Sequence, residues 1–145
     1  MLYIYGMKYL PSILLIIVLA IPCRAGGQHF IGESKTDVKR MMKEHWKGLY
    51  EDDASKNPVY NMVKYIDNLG SQTLIYFFSE DDTCQYSKWM CDYSMLNKVV
   101  SDLNSTYEQS AEDSWHYANE GKNYKIILTT GDWFFTITTK PETKK

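Results

Sequence analysis

Residues 83–91 read TCQYSKWMC and hold the two cysteines that lie close together in the chain, Cys84 and Cys91. How this stretch is read decides where the sheet is interrupted. Before it stand two β-rich segments, VYNMVKYID and QTLIYFFS, separated by the turn-like NLGS. After it, SMLNKVVSDLNSTYEQ carries Met95, Leu96, Val99, Val100, Leu103 and Tyr107 at helical spacing. Between them EDDTCQYSKWMCDY reads as a loop stapled by a Cys84–Cys91 disulfide. Closing about eight residues stabilises a fold by roughly 2.5 kcal/mol on the chain-entropy account. Zinc sites favour C-x2-4-C and redox pairs C-x-x-C, and the C-x6-C spacing is neither. Free thiols are the next alternative, followed by a metal or a redox role. His29, His45 and His116 are scattered, and Glu80, Asp81 and Asp82 lack a 12-residue calcium-loop pattern. No metal or cofactor is expected.

The disulfide reading depends on an oxidising compartment, and the N-terminus supplies the argument for one. Lys8, the apolar run Ile13–Ile21 and the small-residue exit Cys23-Arg24-Ala25 follow the order of a secretory signal. Met7 gives the more conventional start. The apolar run is shorter than the roughly 20 residues of a membrane span. A second reading ends the leader at LAIPC and places a lipid on Cys23, although Pro22 fits a protease site poorly. Under the first reading residues 1–25 are the leader, 26–140 one domain and 141–145 a flexible tail. Cleavage after Ala25 leaves 120 residues, enough for one modest core. It removes Lys8 and Arg24 and no acids, leaving 14 basic and 18 acidic residues, a net charge of −4. Nonspecific nucleic-acid binding needs a basic surface, so no nucleic-acid partner is expected.

The first helix follows the leader. Ser34 and Asp37 have capping-box spacing, and Val38, Met41, Met42, His45 and Leu49 recur at helical intervals. Lys35, Lys39, Lys43 and Lys47 form the opposite, solvated ridge. The last third alternates with period two: SWHYANE and NYKIILTT flank Gly121, and WFFTITTK follows Gly131-Asp132. Asn104-Ser105-Thr106 matches a glycosylation acceptor in a mid-helix position. The predicted order is α-β-β-α-β-β-β. It gives a two-layer α+β domain, an antiparallel sheet of about five strands with both helices on one face.

FIGESKTDV, residues 30–38, resembles the opening of small exported bacterial domains, the outer-membrane assembly lipoproteins and the β-lactamase-inhibitor-like proteins. These begin with an apolar residue, a glycine, a Ser or Thr cap, an acid and a valine; Ile31, Gly32, Ser34, Asp37 and Val38 fit. The match covers nine residues, and those families run their helices before an uninterrupted meander. It implies a small exported helix-and-sheet binding module and carries over no partner or site residue. The leader and body are also similar to envelope proteins of gut-type bacteria.

No G-x-S-x-G elbow, H-E-x-x-H helix or Gly-rich phosphate loop is present in the sequence. The expectation is therefore a non-enzymatic, exported binding domain of the bacterial envelope whose partner is a protein or a glycan. A lipid-anchored assembly factor, membrane-bound through Cys23, is one alternative. A small hydrolase with an unrecognised pair of carboxylates is another. Tyr86 and Trp89, presented by the stapled loop, are the candidate contact residues, and the sheet face opposite the helices is the other candidate surface.

Overall fold

The computed structural model describes residues 30–54 and 57–143. Helix α1 (Lys35–His45) precedes four strands, β1 (Tyr50–Glu51), β2 (Met62–Ile66), β3 (Gln72–Phe78) and β4 (Cys84–Asp92). A 3-10 turn (Tyr93–Met95) leads into helix α2 (Leu96–Thr106). Four more strands follow: β5 (Glu108–Ala111), β6 (Ser114–Asn119), β7 (Lys122–Thr130) and β8 (Phe134–Pro141). All eight form one antiparallel sheet in the order β1-β2-β3-β4-β8-β7-β6-β5. One motif, a helix and a four-stranded meander, is thus used twice, and the last strands of the two halves meet at the centre of the sheet.

The α+β class, the two helices and the antiparallel pairing agree with the sequence reading. The strand number and order do not: there are eight strands rather than about five, and four rather than two precede α2. The largest correction falls on residues 83–91, which form β4 and not a loop. A bulge hides the alternation. Phe77 pairs with Tyr86 and Phe78 with Cys84, so Gln85 is the extra residue. Buried positions accordingly run Cys84, Ser87, Trp89, Cys91 instead of every second residue.

This geometry also removes the predicted disulfide. Seven residues of extended strand span roughly 20 Å, whereas bridged cysteines hold their Cα atoms within about 7 Å. Cys84 and Cys91 are free and buried.

Both helices lie on one face. Tyr76, Ser87, Thr139, Ile126 and Trp115 are successive cross-strand partners and so project to the same side. Helix α1 meets this row at Tyr76, whose hydroxyl donates to Met42 Sδ at 3.6 Å. Helix α2 meets it at Trp115, whose Nε1–H donates to Asn104 Oδ1 at 2.8 Å. Each helix buries two residues four apart, Val38 and Met42 or Val99 and Leu103, into a single core shared with Leu74, Phe135 and Ile137.

Local chemistry fixes the ends of these elements. Ser34 Oγ accepts from the Asp37 backbone N–H at 3.1 Å and caps α1 as its spacing predicts. The segment before it is strapped to the β3–β4 turn by Gly32 N–H to Cys84 O and Lys35 N–H to Asp82 O, both 2.8 Å. The β6–β7 hairpin turns in two residues, Glu120 (φ 49°) and Gly121 (φ 73°), between paired Asn119 and Lys122. Two positive φ values make it the type I′ turn that matches strand twist, and glycine is suited to the second. At the C-terminus β8 runs through Pro141, and the Glu142 N–H donates to Asn123 O at 2.9 Å. The chain therefore stays on the sheet past residue 140, where sequence starts the tail.

Candidate binding face

Among the described residues no helix lies over the opposite side of the sheet. Its cross-strand rows read Met62–Phe77–Tyr86, then Lys64–Ile75–Lys88–Thr138–Ile127, then Ile66–Thr73–Met90–Thr136–Thr129. His116, Lys125 and Lys140 form a further row over β6, β7 and β8. Apolar residues, threonines and lysines alternate with the core-facing set, and most are half-buried.

Aromatic rings gather at one end. Phe77 and Tyr86 stack at 4.4 Å with planes 11° apart, and Tyr60 meets Phe77 edge-on at 6.3 Å. Tyr60, Phe77, Gln85 and Tyr86 line a groove of about 240 Å³. At the other end Trp133, 85% exposed, stands on the β7–β8 turn beside half-exposed Phe134. A groove of about 240 Å³ runs from these two past Met90 and Thr73 to the β2–β3 turn at Gly70. Leu69, 88% exposed, sits on that same turn.

The two predicted contact residues are separated by this geometry. Tyr86 belongs to the open face. Trp89, three positions along the same strand, points to the helix side, is 9% exposed and donates its Nε1–H to Gln72 Oε1 at 3.0 Å. Its assignment as an exposed anchor is corrected: it is a core residue with a satisfied indole. Cys23 lies outside the described residues. Sequence analysis missed Phe77, Lys88, Lys125, Lys140 and Trp133, because strand β4, which orders the two halves of the face, was read as a loop.

Other candidate chemistry is engaged in structure. Burial pushes the Cys84 and Cys91 thiols up to about 12, with Glu33 and Asp67 adding to it, so neither is a thiolate near neutral pH. His116 Nδ1 lies 3.2 Å from Glu142 Oε2 on the exposed side of β6. Asp82 accepts from Asn61 Nδ2 at 2.7 Å, and Asp81 is held by Ser79. Among the described residues no group of three or more His, Cys, Asp or Glu side chains converges as metal ligands would. A wider hollow of about 530 Å³ opens between α1, β1 and β2. Its charges neutralise one another: Lys39 pairs with Glu51, and Lys64 with Asp52 at 2.9 Å. No described helix is long and apolar enough to cross a membrane. Comparison with protein-family models, curated proteins and solved structures gives no match to this chain, so its site rests on its own geometry.

Proposed function

We propose that this chain is an exported, non-enzymatic domain of the bacterial envelope that binds a protein through the open face of its sheet. The observation that carries the reading is the aromatic and aliphatic set on the face that no described helix covers, from Tyr60, Phe77 and Tyr86 to Met90, Phe134 and Trp133. Tryptophan and tyrosine on an uncovered surface are the residue types that dominate protein interfaces. At the Tyr60–Phe77–Tyr86 end, ring orientation favours a protein over a glycan. A sugar ring stacks on a free aromatic face, and here Phe77 and Tyr86 turn their faces to each other while Tyr60 stands against Phe77. The sheet behind them, hydrogen-bonded across eight strands, holds the surface rigid and lowers the ordering cost of association.

A photo-crosslinking amino acid at position 136, at the centre of the open face, tests this in the native envelope. A matched control sits at position 105, exposed on α2. A discrete adduct from 136 and none from 105 is the expected result. Equal labelling from both positions, or no adduct from 136, would overturn the reading.

A further inference from the structure

The lysines on the open face specify the partner further, and the step rests on the reading of that face as a protein-binding surface. We propose that the bound protein presents an acidic segment with interspersed apolar side chains to Lys88, Lys125 and Lys140. These three form one cluster. Lys125 and Lys140 are direct cross-strand partners. Lys88 pairs with Thr138, two residues from Lys140 on β8, which makes Lys88 and Lys140 diagonal neighbours. Among the described residues none of the three makes a side-chain hydrogen bond or ion pair; Lys35, Lys39, Lys64 and Lys98 do, and Lys43, Lys47 and Lys122, which do not, are not neighbours of one another across strands.

Like charges placed directly opposite on neighbouring strands destabilise a sheet. Composition does not force the arrangement, because acids outnumber Lys and Arg by 18 to 16. Glu142, two residues beyond Lys140, shares this face but meets His116 Nδ1 at 3.2 Å and none of the three lysines. Glu80, Asp81 and Asp82 occupy the β3–β4 turn and Glu120 the β6–β7 turn, both at the end of the sheet where β8 finishes. A cationic cluster kept unpaired beside an acidic edge is complementary to carboxylates and would be relieved by them. That edge would repel a long polyanion that ran past this end of the cluster, which argues against a nucleic acid. Tyr86 and Lys140 flank the central Ser87–Thr139 pair, so the cluster abuts the stacked rings and an apolar residue next to an acid finds a contact there.

The test titrates a decapeptide of alternating glutamate and leucine into the 15N-labelled protein and follows amide shifts. Expected are shifts confined to β3, β4, β7 and β8 around the three lysines, weakening as sodium chloride is raised. Lys88→Glu/Lys125→Glu lowers the affinity about tenfold or more. Lys125→Glu alone keeps or raises the melting temperature, since it turns the like-charge pair with Lys140 into an opposite one, so lost binding is not lost folding. Shifts scattered over both faces, or affinity unchanged in the double variant, would sink the proposal. So would hexagalacturonate binding more tightly to the same residues, which would make the partner an anionic glycan. A position-136 crosslink that survives Lys88→Glu/Lys125→Glu undiminished overturns the acidic partner and leaves the open-face reading standing. Absence of that crosslink from the wild type removes both.

Discussion

At the scale of single residues, β4 shows how little separates a core group from a surface one. Tyr86 and Trp89 are three positions apart in one strand, and an odd separation in regular strand sends them to opposite faces. Tyr86 stacks on Phe77 in the open, and Trp89 closes the core with its indole N–H on Gln72. The cysteines follow the same rule. The bulge at Gln85 brings Cys84 into phase with Cys91, and both enter the core from opposite ends of β4 as neutral thiols. Their behaviour toward an alkylating reagent follows. Iodoacetamide at pH 8 leaves both unmodified in the folded protein, because each is 1% exposed and its thiol is pushed up to about 12. In guanidinium without reductant both react, and intact mass shows two additions beyond those of the folded protein. A requirement for reductant would mean a bridge, and hence a β4 unlike the one described.

At the scale of elements, what was legible in sequence is what carried its own periodicity. Both helices announced themselves through i, i+4 apolar pairs, and β2, β3, β7 and β8 through clear alternation. The missed strands lack that signal for separate reasons. Two-residue β1 is too short to show a period, β5 is an exposed edge strand of Glu108, Gln109, Ser110 and Ala111, and β4 has its phase broken by the bulge. Pairing partners, not local pattern, make those three strands, and a single sequence does not display partners. The candidate face suffered most, since β4 sits between Phe77 on one side and the β8 threonines on the other. Docking of α2 was equally hidden. Asn104, within a glycosylation motif by sequence, accepts the indole N–H of fully buried Trp115. Asn104→Ala leaves that donor without its partner and lowers unfolding free energy by about 1–3 kcal/mol in urea denaturation. Asn104→Asp, which keeps an acceptor oxygen, recovers most of the loss. A neutral Asn104→Ala would mean that the α2–β6 pin contributes nothing.

At the scale of the whole molecule, the two helix-and-meander halves share one core, and no apolar boundary divides them. Phe135 and Ile137 of β8 pair with Cys91 and Trp89 of β4 across the central seam, and all four are buried. Unfolding should therefore be a single transition, as is usual for domains under about 150 residues. Buried acids that are neutral when protonated then tie that transition to pH. Cys84 and Cys91 are pushed up from an ordinary value of 9.0, first by burial. Tyr65, Tyr76 and Tyr117 are raised above 10.0, also first by burial, and they come from both halves. The folded chain holds these protons where the unfolded chain releases them. The thiols' contribution to stability is thus complete below pH 9 and is lost as pH rises toward about 12. That of the tyrosines is complete below pH 10 and is lost as pH rises through their raised folded values. Each proton so retained costs the native state about 1.4 kcal/mol per pH unit. Circular dichroism against pH should show a plateau to about pH 9 and then one cooperative alkaline unfolding below pH 12, with tyrosinate absorbance appearing in the same step. Cys84→Ala/Cys91→Ala removes the earliest-titrating pair, so its decline begins nearer pH 10, where only the tyrosines remain. Tyrosinate absorbance that rises well before the dichroism falls would show those hydroxyls reaching solvent in the native fold. An alkaline limb identical in the double variant would remove the thiols from the account.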